Sequence, residues 1–337
     1  MRKAQLPCLS SMVLTKCKTM KHNILITSAG QRVALVRGFQ ETLRRFFPEA
    51  KVYTTDMNPT LAPAAYVSDS CFKVPRCTAE NYVDSLLKLC GENNIGMIVP
   101  TIDTELAILA ANKGAFTKQG VFVSVSDYDL IMMCRDKRNT GDYFESHGIR
   151  VPKPIDKNHP TFPMFAKPYD GSLSTNLHYI KTPEDLTTEI LEDPKLIFME
   201  YIDKEVYKEY TVDMYYGKDH KVKCIVPRER IKIRAGEINK GLTEKEPLTK
   251  YLFDRLETID GCVGCICIQL FLNQENGDVV GIEINPRFGG GYPQTYAAGG
   301  NYPELLIREY FLGESVEYFD DWKDHLLMLR YDDAVYV

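Results

Sequence analysis

The sequence predicts an α/β protein with a doubly wound parallel sheet in its first third and a later part that contains an antiparallel hairpin. Two observations carry this. Apolar segments of strand length alternate with amphipathic segments of helix length between residues 23 and 124, and such βαβ order implies parallel strands with helices on both faces. Further on, an apolar, β-branched run at residues 265–272, a turn-rich stretch at 274–278 and a short second run ending at Asn285 read as a hairpin.

Taken in order, residues 1–19 contain Arg2, Lys3, Lys16 and Lys18 but no sustained apolar core, so a signal peptide is not expected. We expect an extension with little structure, followed at Met20 by what reads as a protein start running into a strand at 23–27. Ser28, Ala29, Gly30 and Gln31 make a tight turn. Residues 32–46 form a helix on which Val33, Val36 and Leu43 recur with helical spacing. The pattern then repeats: strand 52–55 ending at Asp56, helix 79–91, strand 95–99, helix 103–112, strand 121–124. Ligands on such sheets bind at the carboxyl ends of the strands, which here present Ser28, Asp56, and Thr101 with Asp103. A short helix at 127–134 and a second running to His147 follow, and the second is broken by Gly148-Ile149-Arg150-Val151-Pro152. Strands are expected at 162–168, at 196–202 and from Lys208 onward, a helix at 305–313, and a closing strand at 326–337.

Composition narrows the function. The 337 residues are 44% hydrophobic and 26% charged, which is ordinary for a globular protein with more than one core. A net charge of −5 without a long basic run argues against nucleic acid as a partner, and no apolar stretch approaches the length of a membrane span. The ten cysteines sit in strand-like or helical stretches rather than in a spaced framework. Reduced, buried thiols in a cytoplasmic protein are expected. A dinucleotide is a rival ligand for the first third, since Asp56 stands about where a ribose-binding acid would. The turn at Ser28-Ala29-Gly30, however, lacks the G-x-G-x-x-G spacing.

The chemistry converges on residues 281–291, Gly-Ile-Glu-Ile-Asn-Pro-Arg-Phe-Gly-Gly-Gly. Strand alternation puts Glu283 and Asn285 on one face, and Pro286 ends the strand. A carboxylate and an amide oxygen followed by a guanidinium suit a hard cation and a phosphate. The turn decides whether Gln269 joins them. A two-residue turn at Asn276-Gly277 would set Gln269 opposite Ile284, and a three-residue loop with Gly277 left-handed would set it opposite Glu283. Both turns are common. A second polar face comes from Arg228, Arg230, Lys232 and Arg234, which recur at every second residue. In a strand they share one face, where their mutual repulsion calls for an anion or ample water.

Glu283-x-Asn285-Pro286-Arg287, a Gln one strand earlier and the glycine run resemble the metal-binding end of an ATP-grasp ligase. Residues 288–299 resemble more narrowly the single-unit proteins similar to the carbamoyl-phosphate synthetase large subunit. The resemblance implies an ATP-grasp fold of two α+β lobes behind the parallel-sheet domain. Its implied boundaries are 1–19 for the extension, 20–126 for a Rossmann-like domain, 127–199 for the small lobe and 200–337 for the large lobe with its closing segment. It also implies the three-residue loop, and Gln269, Glu283 and Asn285 as holders of one or two Mg²⁺, with Mn²⁺ as an alternative ion. Lys137 and Lys167 would approach the ATP phosphates, and Gly171 and Ser172 would belong to a flap over them. In that flap Asn176 stands where relatives often carry a glycine. Glu200, Tyr201 and Ile202 would line the adenine, and Glu209 would hold the ribose. Arg287, Arg230 and Arg234 would attend the transferred phosphate and the substrate carboxylate. Function then follows as ATP- and Mg²⁺-dependent activation of a small carboxylate for attack by an amine, with a homodimer the assembly to test. A non-catalytic ATP-binding module is the alternative, and an NAD oxidoreductase ranks behind both.

Overall fold

The computed structural model describes residues 21–171 and 175–337, so the expectations for residues 1–19 and for Ser172 lie outside the described residues. The parallel sheet is built from β1 (Asn23–Thr27), β2 (Val52–Asp56), β3 (Ser70–Lys73), β4 (Ile95–Pro100) and β5 (Phe122–Val123), in the order β3-β2-β1-β4-β5. Alternation along β1 divides its side chains between two cores. Ile24 and Ile26 pack with the helix Val33–Phe46, and Leu25 packs with the helices Tyr82–Glu92 and Asp103–Ala111. Strand β3 was not expected from sequence: it is short, partly exposed and at the sheet edge, so it lacks an apolar run.

A three-stranded antiparallel sheet follows, made of β6 (Met164–Pro168), β7 (His178–Ile180) and β8 (Leu196–Glu200) in the order β7-β6-β8, over its own small core. The large sheet then contains β9 (Tyr207–Tyr216), β10 (Val222–Arg234), β11 (Glu237–Thr243), β12 (Gly264–Asn273), β13 (Val279–Asn285) and β14 (Leu327–Leu329). Its order is β13-β12-β9-β10-β11-β14. The expected closing strand shrinks to the three residues of β14, at the edge of this sheet.

Each face of the large sheet is covered. On one side Val212, Met214 and Ile268 pack under the helix Leu248–Leu256 and Phe144. On the other, Tyr215, Cys224 and Val226 join Phe288, Tyr292 and Tyr302 in the same core as Ile24, Val36 and Phe39 of the parallel-sheet domain. That shared core fixes the carboxyl end of β1 and β4 against the loop that follows β13. Cys262, Cys265 and Cys267 are buried free thiols, and burial pushes the Cys262 and Cys267 thiols up to about 12.

Candidate active site

The hairpin β12–β13 reaches the register that brings Gln269 opposite Glu283, though by a different route from the expected three-residue loop. Asn273 N–H donates to the Asp278 carbonyl at 2.9 Å, so the loop has four residues, with Gly277 left-handed at φ +75°. A bulge between Gln269/Glu283 and Leu270/Gly281 then restores the pairing. Gln269, Glu283 and Asn285 line one cavity of about 520 Å³, and Ile284, 3% exposed, joins the core cluster at its edge.

Two lysines converge on Glu283. Lys137 opens the helix Lys137–Ser146; its Nζ donates to the Gly171 carbonyl at 2.5 Å and lies 3.5 Å from Glu283 Oε2. Lys167, on β6, is 8% exposed. Burial pulls its ammonium down to about 8; Glu283 opposes that fall and Lys137 adds to it. The far carboxylate oxygen, Glu283 Oε1, accepts from Asn285 Nδ2 at 2.9 Å. Beyond Gly171, Asn176 takes φ +54°, the left-handed conformation that asparagine tolerates.

The opposite wall comes from β8, β9 and β10. Glu200, Tyr201 and Ile202 line the cavity. Glu200 accepts from Arg150 at 2.5 Å, and Tyr201 stacks on Tyr179 with ring centres 4.2 Å apart. Glu209 is paired with Arg230 Nε at 3.1 Å and with Lys204 at 3.1 Å. Arg230 also donates to Thr211 Oγ1 and to the Gly236 carbonyl.

Arg234 is not brought to this wall. It pairs with Asp332, its side chain is 55% exposed, and Ile233 lines the cavity instead. The cause is a pair of register shifts in β10, between Glu229 and Lys232 and between Lys232 and Ile233, which break the every-second-residue alternation assumed from sequence. Arg228 is not solvated either: it is 1% exposed and ion-paired with the fully buried Asp213 at 3.0 Å.

Arg287, named from the sequence, lines the cavity, as do Arg32 and Glu237, which were missed from sequence. Arg287 donates to Asp103 Oδ2 at 2.9 Å and to Asn285 Oδ1 at 3.4 Å. Burial works against the Arg287 charge, but Asp103, with Cys267 and Glu283, raises its pKa overall. Arg32, at the turn after β1, and Glu237, on β11, line the same end. Arg330 binds Glu237 at 2.8 Å and the Gly290 carbonyl at 2.5 Å. The glycine run makes room for these heads: a Cβ on Gly290 would lie 2.1 Å from Glu237 Oε1, and one on Gly291 would lie 2.2 Å from a terminal nitrogen of Arg228. The strand-end rule pointed to Asp103, but no sequence spacing pointed to Arg32, Glu237 or Arg330. Ser28 and Asp56 do not line the cavity, and Asp56 instead accepts from the Asn58 N–H at 2.8 Å.

The donor set is chemically suited to Mg²⁺, being all hard oxygens from one carboxylate and two amides. Glu283 already faces Lys137, and its field reaches Lys167. The set therefore fits a cation that arrives with a polyphosphate rather than alone. Among the described residues, no cluster of three or more His, Cys, Asp or Glu is placed to hold a metal ion, and no helix is long and apolar enough to cross a membrane.

The small antiparallel sheet and the large sheet, with the cavity between them, define an ATP-grasp fold. Residues 24–124 match the family model described as the PylC-like N-terminal domain, and residues 192–333 match the one described as ATP-grasp in the biosynthetic pathway with Ter operon. The chain thus carries a PylC-like N-terminal domain and an ATP-grasp domain, each over the residues matched. A comparison with curated proteins finds no match. Among solved structures it is similar to N5-carboxyaminoimidazole synthetase from Staphylococcus aureus, solved with ADP, at 15% identity and a TM-score of 0.66, over 91% of this chain and 80% of that one. Biotin carboxylase from Campylobacter jejuni, in an ATP complex, shares 12% identity with a TM-score of 0.68, over 90% and 74% of the two chains. L-amino acid ligase from Bacillus licheniformis shares 16% with a TM-score of 0.63, over 86% and 73%. At these identities the likeness is one of fold.

Proposed function

We propose that the protein is an ATP- and Mg²⁺-dependent ligase that activates a small carboxylate as an acyl phosphate, which an amine then attacks. The observation that carries this reading is the meeting of Lys137 and Lys167 with Glu283, Gln269 and Asn285 in one cavity. Two cations beside a set of hard oxygens match a magnesium-bound polyphosphate. In this reading the magnesium would be held by Glu283, Gln269 and Asn285, and it would screen phosphate charge. Lys137 and Lys167 hold the phosphates, and Arg287 stands where the transferred group and the acceptor carboxylate meet. Because the transferred group needs its negative oxygens neutralised and aligned, the protein's part is positioning and electrostatics. Glu200, Tyr201 and Ile202 face the adenine, and Glu209 faces the ribose. The nucleotide domain comprises residues 127–199 and 200–337, and residues 20–126 shape the acid's side.

The test is a screen for ADP release across small acids and amines, with Mg²⁺ and then Mn²⁺. ADP release that requires an added carboxylate is the expected result. Nucleotide binding without any acid-dependent turnover would instead make the chain an ATP-binding module, and stabilisation by NAD without stabilisation by ATP would displace both readings.

A further inference from the structure

The end of the cavity at the glycine run is built from paired charges, and one cation is left over. Arg287 meets Asp103 at 2.9 Å, Arg228 meets Asp213 at 3.0 Å, Arg230 meets Glu209 at 3.1 Å, and Arg330 meets Glu237 at 2.8 Å. Arg32 has only a shared acid. Its nearest is Glu237 at 3.8 Å, already bound by Arg330, and its guanidinium makes no hydrogen bond among the described residues. The side chain is nevertheless only 22% exposed. Burial lowers its pKa, and neighbouring Arg287 lowers it further. A part-buried guanidinium that faces the cavity without a protein acceptor in hydrogen-bond reach leaves its donors to a ligand.

Arg32 is also well placed. It follows the carboxyl end of β1, the central strand of the parallel sheet, where ligands of such sheets bind. Nearby, Arg287 Nε is buried without a partner, so donors are spare at two points. Asp103 favours the charge of Arg32 but is ion-paired with Arg287, so the two carboxylates Asp103 and Glu237 serve three guanidiniums, Arg32, Arg287 and Arg330.

Resting on the ligase reading above, we propose that the acid substrate carries two anionic groups. One is the carboxylate activated beside Arg287, and the other is a second carboxylate held by the Arg32 fork. One spare guanidinium matches the single charge and planar oxygens of a carboxylate. A phosphate monoester would bring nearly two charges. The cavity of about 520 Å³ must also admit the nucleotide, so the diacid is short.

The experiment uses the full chain with magnesium and a non-hydrolysable ATP analogue, and reads melting temperature as each probe is added. The probes are succinate, glutarate, aspartate and glutamate, each compared with its monoamide. At least one diacid should raise the melting temperature while its monoamide leaves it unmoved. Arg32→Gln should abolish that difference while keeping the shift caused by the analogue itself, which also shows that the variant is folded. Arg32→Lys should restore only part of the diacid response, because it restores the charge without the fork. Three outcomes would overturn the proposal: no diacid response in the wild type, equal response to diacid and monoamide, or an unchanged response in Arg32→Gln. A wild type that ignores the analogue would overturn the ATP reading beneath it and this inference with it.

Discussion

Lys167→Met should make the nucleotide-free protein more stable and deprive it of nucleotide. Lys167 is 8% exposed, and burial lowers its pKa from 10.5 to about 8. That fall corresponds to about 3 kcal/mol spent on keeping the charge inside. Methionine nearly matches the stem and removes the charge. With about 2 cal/mol/K of unfolding entropy per residue, the gain at pH 7 amounts to a rise in melting temperature of up to about 4 °C. The pH dependence fixes the sign. Below about 8 the folded and unfolded lysine both hold the proton, and the wild type carries the whole cost. Between about 8 and 10.5 the unfolded chain binds more protons, so wild-type stability rises with pH. The advantage of the methionine variant should therefore be full at pH 7, shrink above pH 8 and be gone near 10.5. Scanning calorimetry at several pH values measures this directly. Phosphates beside Lys167 would raise its pKa again, so wild-type binding of MgATP above pH 8 should take up a proton, which titration calorimetry in buffers of different ionisation enthalpy detects. A variant that melts below the wild type at pH 7, or that is still stabilised by MgATP to the wild-type extent, refutes the reasoning.

Glu283→Ala should abolish Mg²⁺-dependent ADP release and leave Lys137 and Lys167 without their acid, so turnover at wild-type levels would remove the metal assignment. Glu209→Ala should weaken ATP binding and also lower stability by about 1–3 kcal/mol, because it strands Arg230, whose side chain is 7% exposed; denaturant titration separates the two effects. Arg234→Ala should change neither turnover nor melting temperature, since its partner Asp332 is itself 79% exposed. A large loss of turnover there would show that the strand closes over the site in solution.

The parts of the fold legible in the sequence are those with dense local signal. Strands β1 and β4 are buried on both faces, so they read as unbroken apolar runs, and the helix Val33–Phe46 carries a clean apolar face. Strand β3, exposed at the edge, gave no such run. Register was harder. Gln269 does lie opposite Glu283, but through a four-residue loop corrected by a bulge, and periodicity alone records neither. The same blindness misplaced Arg234: two register shifts in β10 turn the strand so that Arg230 faces the cavity and Arg234 faces water. A bulge is one residue long and has no composition of its own, so a period-two argument holds only until the first one.

What the sequence hid most completely is the part of the site that forms between domains. Arg32 lies some 250 residues from the glycine run, and Asp103, which the strand-end rule did point to, some 180; they reach it because Phe39 and Val36 share a core with Phe288 and Tyr292. In the sequence the glycine run enters only as part of the resemblance to the metal-binding end of an ATP-grasp ligase. In the structure two of its glycines are needed for a steric reason: Glu237 and Arg228 occupy the space where their Cβ atoms would lie. Small residues there let charged groups from β10 and β11 come up against the backbone that follows the β13 donors. Glu283 and Asn285 on β13, Arg228 on β10 and Arg32 after β1 are thereby gathered around one cavity. A side chain at Gly290 would displace Glu237 and one at Gly291 would displace Arg228, which makes the run a structural condition for this end of the cavity.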